Sequence, residues 1–378
     1  MSPSSALRIG HVDTGLTLRG GQRQLLLLAQ GLRRRGHWQL IVCPEGSELY
    51  RRAATEGFPV LGLPQDDFRH LHGIRQLRRR LHQDGLMLLH AHDGVGQTVA
   101  WMASLGTGVR RVASRRVIYL PKRRLDYRLK YKYTCHAVIA VSKFVGHILE
   151  ETGIPPAMIN VIPDGIEIPE RVQDAASKLA TRAKWNLSER EFVVGQLASF
   201  SAEKGQDLAI SAFEILASRL PDAKLVLGGD VSAVDLATSS LSGAVSSGRV
   251  LLAGYQENLY QFFAGLDVYI MPSRSEGLGS SALLAMAHGL PVIATRVGGL
   301  PEIVEEGRTG WLVAPESAED LANAIVSAAS NPLHLKELGD DARERAKEFS
   351  AEIMVERTAA LYNRLIALPE TQQTKIAN

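Results

Sequence analysis

The sequence predicts an α/β protein of two doubly wound domains, each with a parallel sheet between layers of helices. Short apolar runs alternate with helical segments through both halves of the chain, as they do in parallel sheets buried on both faces. At 378 residues the chain is longer than one hydrophobic core usually serves. A stretch rich in proline, glycine and charge separates the two series. We therefore expect a first domain over 1–165, a linker over 166–186 and a second domain over 187–350.

The first series opens with a strand at Leu7–Asp13 and, after a Gly-Gly turn, a helix at Gly21–Arg35. Six further short apolar runs predict strands at Trp38–Cys43, Val60–Leu63, Leu86–Ala91, Val109–Ser114, Ala137–Val141 and Asn160–Ile162. Helical segments lie between most of them. In such sheets ligands bind beyond the carboxyl ends of the strands, so the residues that follow strands are the candidates for function.

The second series has the same pattern. Strands are predicted at Phe192–Leu197, Lys224–Gly228, Val250–Ala253, Val268–Met271, Val292–Thr295 and Trp311–Val313. The chain then finishes with helical stretches at Ala318–Ser330, Pro332–Phe349 and Ala351–Leu368. The polar segment 369–378 is expected to be a frayed tail.

Composition narrows the class of protein. Apolar residues make up 45% and charged residues 22%, which is ordinary for a globular protein. The two cysteines, Cys43 and Cys135, form neither a disulfide framework nor a zinc spacing, which fits a reducing compartment. The sequence contains no signal-peptide pattern and no run of about 18 apolar residues. We expect a cytoplasmic protein whose contact with a membrane is peripheral, at the inner face.

Charge is distributed unevenly along the chain. Residues 1–165 hold 24 Lys and Arg against 12 Asp and Glu, a net charge of +12, whereas the remainder holds 19 against 28, a net charge of −9. This asymmetry indicates that the first half faces an anionic partner.

The segment most suggestive of chemistry is Met271–Val313. A strand ends near Pro272, a loop carries Glu276, and Gly277 and Gly279 precede a helix that starts near Ser280. The free backbone N–H groups and the dipole of a helix start favour an anion, and Ser280 and Ser281 could cap the helix or bind phosphate oxygens. The alternative is an ordinary N-cap after an ordinary loop.

This segment resembles the donor site of the family 4 retaining glycosyltransferases. The motifs that carry the resemblance occur in the family's order: Glu276-Gly277-Leu278-Gly279, Ala285-Met286-Ala287, Gly289-Leu290-Pro291-Val292 and Gly298-Gly299-Leu300-Pro301-Glu302. The resemblance extends over about 7–365. It implies the GT-B fold, with two Rossmann-like domains facing across a cleft and the helix over 351–368 crossing back to the N-terminal, acceptor-side domain.

Further segments resemble family sites where the family places them. Arg19-Gly20-Gly21-Gln22 resembles the turn that brings backbone amides to the donor phosphates, and Glu203-Lys204-Gly205 resembles the phosphate-binding lysine loop. His92 resembles the histidine that contacts the sugar, although a lone histidine at a strand end is more often structural. Gly254 and Tyr255 resemble the loop that holds the nucleotide base. The alternative for Tyr255 is a half-buried surface aromatic residue.

Two positions depart from the family pattern. The second glutamate of the family, which holds the ribose hydroxyls, is Leu284 here. The arginine often found five residues before the lysine is Ser199, and we expect Arg274, or Arg115 and Arg116 from the first domain, to replace its charge.

The resemblance implies a retaining, metal-independent reaction with a nucleotide sugar, such as a UDP- or GDP-sugar, as donor and no other cofactor. Glu276 would hold the donor-sugar hydroxyls, His92 would contact the sugar near the reacting carbon, and Lys204 would stabilise the leaving diphosphate. No spaced cluster of carboxylates or histidines suited to a divalent ion is visible in the sequence.

A basic and aromatic segment at Arg110–Lys132 holds ten basic residues and one acid, with tyrosines interleaved. We expect it to bind the acceptor, a glycan or a lipid-linked or phosphorylated molecule of cell-envelope polysaccharide synthesis, or an anionic membrane surface. The residues concerned are Arg115, Arg116, Lys122, Arg123 and Arg124. One alternative is a solvated charged face. Nucleic acid is the least favoured partner, because the acidic second half would oppose it.

Two other functions remain open at this point. A sugar-nucleotide epimerase of the same fold would release its products without an acceptor. A degenerate protein that binds a nucleotide sugar without catalysis would fit the departures at Leu284 and Ser199.

Overall fold

A computed structural model of the chain describes residues 6–66, 71–118, 124–170, 174–230 and 240–368. It divides into two compact units. The first comprises the described residues up to Gly165 together with those from Ala351 onward, and the second runs from Ile166 to Ser350. The predicted tail over 369–378 lies outside the described residues. No helix in the described ranges combines the length and the apolarity that crossing a bilayer requires.

The first unit contains a seven-stranded sheet in the order β3-β2-β1-β4-β5-β6-β7, and all its strand pairs are parallel. The strands are β1 (Arg8–Val12), β2 (Trp38–Pro44), β3 (Val60–Leu63), β4 (Leu88–Ala91), β5 (Arg110–Arg115), β6 (Ala137–Ala140) and β7 (Ile159–Val161). Its helices are α1 (Gly20–Arg34), α2 (Glu48–Thr55), α3 (Leu71–Gln83), α4 (Gly94–Ala103), α5 (Arg124–Thr134) and α6 (Lys143–Glu151), with a 3-10 turn at Pro156–Met158.

The second unit contains a six-stranded parallel sheet in the order β10-β9-β8-β11-β12-β13. Its strands are β8 (Phe192–Leu197), β9 (Ala223–Gly228), β10 (Val250–Gly254), β11 (Val268–Met271), β12 (Val292–Thr295) and β13 (Gly310–Val313). The helices are α7 (Ala175–Lys184), α8 (Gln206–Ile215), α9 (Ser240–Ser246), α10 (Leu259–Ala264), α11 (Ser280–Ala287), α12 (Leu300–Ile303), α13 (Ala318–Ser330) and α14 (Pro332–Lys347), with a 3-10 turn at Ala202–Lys204.

The thirteen predicted strands are all present, and the two parallel sheets confirm the predicted fold class. Strands β4, β6, β11 and β12 are buried at every position, as parallel strands covered on both faces should be. In each sheet the order reverses beside the first strand of the unit, between β1 and β4 and between β8 and β11. The carboxyl ends of strands at such a reversal form the usual ligand site of this architecture.

The last helix, α15 (Ala351–Ala367), belongs to the first unit and packs against α1. The contact is close because Gly31 has no side chain: a Cβ there would lie 2.3 Å from Cγ2 of Val355. Tyr362 and Leu361 join a buried cluster with Leu28 and Leu32 of α1. The N-terminal sheet therefore receives part of its covering from the C-terminal end of the described chain.

The structure differs from the predicted linker over 166–186, because ten of those residues form α7 and this helix is held within the second unit. The Arg182 side chain is only 3% exposed, and it donates to the carbonyl oxygens of Gly265, Glu189 and Glu191. It also pairs with Asp267 at 2.6 Å. One of the charged residues that suggest a linker in the sequence, Arg182, is thus a buried residue of the second unit.

We predict that Arg182→Met destabilises the second unit by about 3–5 kcal/mol, because it leaves Asp267 with the more exposed Lys178 as its cationic partner and removes the Arg182 donors from three carbonyl oxygens. Urea unfolding followed by native-state hydrogen exchange in β8 and β11 measures the effect. Arg190→Met, at an exposed position, serves as the matched control. Equal stability of the two variants would contradict the prediction.

Candidate active site

In the second unit, the predicted site residues Lys204 and Glu276 form an ion pair. Lys204 ends the 3-10 turn that follows β8, and Glu276 lies on the loop that follows β11. Their Nζ and Oε2 atoms are 2.6 Å apart, and the side chains are 23% and 14% exposed. A cation and a carboxylate thus lie side by side, partly shielded from water, at the strand reversal of this sheet.

Glycines bring these loops together. Gly205 has a φ of +68°, and a Cβ there would lie 2.0 Å from the carbonyl oxygen of Pro272. Gly298 has a φ of +56°, and a Cβ there would lie 1.8 Å from the carbonyl oxygen of Glu276. The Gly299 amide donates to the same oxygen at 3.1 Å. Only glycine fits these two positions, so the Gly298-Gly299 motif supports the backbone that carries Glu276.

Helix α11 begins at Ser280, as predicted, after Gly279 with a φ of +103°. Gly277 and Gly279 are buried. The Ser281 hydroxyl lies 2.9 Å from the phenol oxygen of Tyr269, which also bonds the backbone of Leu197. Burial raises the pKa of Tyr269 to about 12, so the phenol stays neutral. Ser281 therefore ties the helix start to strands β8 and β11, a role that the sequence did not reveal.

The predicted base-binding residues lie farther along the same sheet. Gly254 ends β10 with a φ of +68° and open space where a Cβ would be. Tyr255 is 60% exposed, so the alternative interpretation of this residue as a half-buried surface aromatic is wrong. Two strands separate β10 from β11, which corresponds to about 14 Å at the usual strand spacing. The second unit therefore offers an extended line of strand ends, with Tyr255 at one end and Lys204 and Glu276 toward the other.

The structure also shows the surroundings of the two departures from the family pattern, at Leu284 and Ser199. Leu284 is half-buried on α11, between the buried Leu283 and Ala285, so it is not a full core residue. Arg274 was expected to supply the positive charge of the family's arginine, which is missing at Ser199. Its guanidinium instead pairs with Asp207 and Glu316. In the first unit Arg116 pairs with Asp164 at 3.0 Å.

In the first unit, the turn after β1 meets the start of α1. The helix begins at Gly20, one residue earlier than predicted, and no atom lies within 4 Å of a Cβ built at Gly20 or Gly21. The Gln22 amide donates to Asp13 Oδ1 at 2.9 Å. Burial raises the pKa of Asp13. The helix start thus faces open space, as an anion site requires, and Asp13 is a buried acid that the sequence analysis did not single out.

His92 is buried in a chain of hydrogen bonds that assigns its tautomer. Gln39 Nε2 donates to the carbonyl oxygen of Ala29, so Gln39 Oε1 must accept from His11 Nε2 at 3.0 Å. The second nitrogen of His11 is then an acceptor, and it lies 3.1 Å from His92 Nε2. His92 therefore carries its proton on Nε2, and its Nδ1 accepts from the Arg116 guanidinium at 3.4 Å.

This arrangement corrects the expectation that no histidine cluster exists. His11, His90 and His92 each place one ring nitrogen within 4.8 Å of those of the other two. His11 and His90 are paired in register on β1 and β4, although they are far apart in sequence, so no spacing motif signals them. The nitrogens of His90 lie 2.6 Å from the Tyr362 hydroxyl and 2.8 Å from Ser114 Oγ. The cluster therefore works as a hydrogen-bond network, and a metal ion would have to displace these partners.

Several described residues of the basic segment are less exposed than those of a solvated charged face would be. Arg110 is 7% exposed and donates to the carbonyl oxygens of Leu365 and Leu368, at the end of α15. Arg111 donates to the carbonyl oxygen of Thr134, and Lys130 to that of Gly94. Arg115 is half-buried. Lys122 and Arg123 lie outside the described residues, and the side chain of Arg124 does as well.

Comparisons with known families agree with the architecture. The family model described as "Glycosyltransferase Family 4" matches residues 18–169, and the one described as "Glycosyl transferases group 1" matches residues 177–348. Together they account for most of both units. The chain belongs to the family 4 glycosyltransferases.

Curated relatives of this family 4 chain include two with named acceptors. The D-inositol 3-phosphate glycosyltransferase of Arthrobacter sp. is 33% identical over 54% of this chain and 48% of its own length. The GDP-mannose-dependent alpha-(1-6)-phosphatidylinositol monomannoside mannosyltransferase of Mycolicibacterium smegmatis is 29% identical over 63% of this chain and 67% of its own. A third relative, the N-acetyl-alpha-D-glucosaminyl L-malate synthase of Bacillus anthracis, is 29% identical over 52% of this chain and 51% of its own length. The chain thus spans about half the length of the first relatives that it matches.

Among solved structures, Anabaena HepE in complex with UDP and glucose matches with a TM-score of 0.83 at 21% identity, over 94% of this chain and 99% of that one. At this identity the likeness shows the fold, which is the two-domain GT-B architecture.

We predict that the stability of the first unit falls as pH decreases below about 6.5. Burial lowers the pKa of His11 to about 4 and the pKa values of His90 and His92 well below 6.5, so the folded form keeps all three neutral. The unfolded chain binds protons on them in that window, which costs up to about 1.4 kcal/mol per pH unit for each histidine. Asp13, with its raised pKa, opposes this trend, but as one group against three.

Native-state hydrogen exchange in β1 and β4 between about pH 7 and 5 measures this dependence. The variant His90→Gln should reduce the slope, and His147→Gln, at an exposed position of α6, should leave it unchanged. Stability that stays constant over this range would contradict the prediction.

Proposed function

We propose that this chain is a retaining, metal-independent glycosyltransferase that moves a sugar from a nucleotide-sugar donor to an acceptor. The observation that carries the proposal is the pairing of Lys204 with Glu276 at the strand reversal of the second unit. A lysine supplies the positive charge that a diphosphate leaving group needs, and a carboxylate accepts hydrogen bonds from sugar hydroxyls. A glycosyl donor combines these two features in adjacent parts of one molecule.

Donor binding would give each charge a new partner. In the structure, Lys204 and Glu276 neutralise one another in an ion pair at 2.6 Å. With a donor, Lys204 would turn to the diphosphate, supported by the amides at the start of α11, and Glu276 would orient the sugar. The departing phosphate oxygen would take the proton of the acceptor, so the protein would mainly position the reactants and stabilise charge. His92, neutral and held by Arg116, would contact the sugar near the reacting carbon.

The donor is proposed to be a UDP- or GDP-sugar. The line of strand ends from Tyr255 to Glu276 suits an extended molecule with its base at one end and its sugar at the other. The name of the mannosyltransferase relative includes GDP-mannose, which supports a GDP-sugar. The HepE structure holds UDP and glucose, which supports a UDP-sugar.

The acceptor is proposed to bind the first unit and to carry phosphate, either as a phosphorylated glycan or as a lipid-linked one of cell-envelope polysaccharide synthesis. The net charge of +12 over residues 1–165 supports this, together with the phosphorylated acceptors named for two relatives. Action at the cytoplasmic face of a membrane, with peripheral binding to anionic lipid, follows from such an acceptor.

One competing function has a specific observation in its favour. A degenerate protein that binds nucleotide sugars without turnover would fit the absence of a carboxylate at Leu284 and of an arginine at Ser199. The epimerase alternative finds no support in the relatives described above, whose names are those of transferases and a synthase.

The testing experiment is a donor-hydrolysis screen across UDP- and GDP-sugars in excess chelator. We expect one or more donors to be turned over, with turnover unchanged by chelator. Glu276→Gln should lower turnover by about a hundredfold or more, because the sugar loses its charged orienting group. Glu319→Gln, at an exposed position in the first turn of α13, is the matched control and should retain turnover.

Three results of this screen would count against the proposal. Donor binding without turnover would favour the degenerate binding protein. Loss of turnover in chelator, restored by magnesium or manganese, would overturn metal independence. Normal turnover in Glu276→Gln would remove the assigned role of Glu276.

A second prediction concerns Leu284, one turn into α11. A glutamate there could accept two hydrogen bonds from a ribose, whereas leucine accepts none. Because the side chain is half-buried and not in the core, we expect Leu284→Glu to tighten binding of the nucleoside diphosphate by about ten- to hundredfold. Isothermal titration of both proteins measures the change. Unchanged or weaker binding in a stably folded variant would mean that another group holds the ribose or that this position does not face the donor.

A further inference from the structure

Arg274 lies on the loop after β11, two residues before Glu276, and its side chain connects three other segments of the second unit. Nε and Nη2 donate to the Glu316 carboxylate at 2.6 and 3.0 Å. Nη1 and Nη2 donate to the two carboxylate oxygens of Asp207, each at 2.8 Å. Nη1 also donates to the carbonyl oxygen of Ala202 at 2.7 Å.

These contacts use the whole donor capacity of the guanidinium. An arginine has five N–H groups, and Arg274 makes five hydrogen bonds within its own unit. Two carboxylates also neutralise its charge, and their hydrogen bonds raise its pKa. Arg274 therefore has no N–H left for a donor phosphate, which contradicts the expectation that it replaces the arginine missing at Ser199.

The segments that Arg274 joins are those that carry the proposed donor ligands. Ala202 opens the turn that ends at Lys204, and Asp207 lies in the first turn of α8, just after Gly205. The backbone repeats the link, because the Arg274 amide donates to the carbonyl oxygen of Glu203 at 2.8 Å. Arg274 thus links the Lys204 turn to the Glu276 loop, and the hydrogen bonds described for its side chain go to neither Lys204 nor Glu276.

The third partner, Glu316, has an unusual backbone. Its φ of +59° lies in the left-handed region, which residues other than glycine seldom adopt. Such conformations persist where the surroundings hold them, and the paired contact with Arg274 is a reason for this one to persist. Exposed ion pairs usually contribute little, but bidentate geometry and membership of a network are the recognised exceptions.

We propose that Arg274 is a positioning residue that fixes the Lys204 turn relative to the Glu276 loop, with Asp207 and Glu316 holding its guanidinium in place. The inference rests on the proposed function, in which Lys204 binds the diphosphate and Glu276 binds the sugar, the two groups that the reacting bond joins. A small displacement of either group would spoil the alignment for reaction while leaving most of the donor contacts intact.

The kinetic test compares Arg274→Met with Arg296→Met. Arg296 also pairs with a glutamate in this unit, at 3.2 Å to Glu306, but its described contacts include neither donor-site loop, so it is the matched control. We expect Arg274→Met to lower kcat for donor hydrolysis by about 10- to 100-fold with KM nearly unchanged, and the control to retain both values. A rise in KM at unchanged kcat would overturn the positioning role.

A second variant separates positioning from direct phosphate binding. Asp207→Ala combined with Glu316→Ala removes both carboxylates and leaves the guanidinium with the Ala202 carbonyl oxygen as its one remaining partner among the five contacts described above. If Arg274 positions the loops, this variant should lose kcat as Arg274→Met does. If Arg274 is a phosphate ligand, the freed guanidinium should tighten binding of UDP or GDP, whichever the unchanged protein binds. Tighter binding in isothermal titration would overturn the proposal.

A ligand-free measurement keeps this inference distinct from the proposed function. Hydrogen exchange at the amides of Lys204 and residue 274 should be faster in Arg274→Met and in the double variant than in the unchanged protein and Arg296→Met. Equal exchange rates would overturn the link between the loops. If the unchanged protein turns over no donor, the proposed function fails, and the exchange rates still decide whether Arg274 holds the two loops together.

Discussion

The proposed donor site of this protein depends on two carbonyl oxygens that occupy the space of absent side chains. The oxygen of Pro272 lies where a Cβ of Gly205 would be, and the oxygen of Glu276 lies where a Cβ of Gly298 would be. Both glycines also have positive φ angles. Because of these approaches, the loops after β8 and β11 pack backbone to backbone, and the ion pair of Lys204 with Glu276 can form between them. A larger residue at either position would separate the charges on which the proposed chemistry rests.

The fold was predictable because it depends on a local sequence pattern, the alternation of short apolar runs with helical segments. Parallel strands covered on both faces are short apolar runs, and helices separate them, so all thirteen strands could be recognised. The structure of the segment predicted as a linker was harder to predict from the sequence. Residues 166–186 contain charges that look solvated, but Arg182 and Asp267 form a buried pair across about half of the second unit's sequence. A buried ion pair between distant residues has no local signature, and the helix it secures was therefore not expected.

The sequence could name candidate site residues but not the contacts that they make. The resemblance to family motifs indicated Glu276, Lys204 and His92 as candidates. Nothing local indicated that His11 and His90 would meet His92, because strand register sets that contact. Nor did the sequence reveal that the N–H groups of Arg274 donate to Asp207, Glu316 and a backbone carbonyl group. Residue type and spacing identify the candidates for binding, whereas the partners that occupy or orient them depend on tertiary contacts.

The return of α15 to the first unit has a consequence for the order in which the chain can fold. The second unit is a continuous segment between the two parts of the first, and it can complete its core as soon as residue 350 has been synthesised. The first unit cannot, because the surface of α1 that includes Leu28 and Leu32 is covered by residues of α15, which leave the ribosome after the whole second unit. Such a contact carries a high cost in loop closure, but the second unit, once folded, shortens the effective loop. During synthesis the N-terminal sheet therefore lacks part of its covering until α15 has emerged, and intermediates with such exposed apolar surface are generally prone to aggregate.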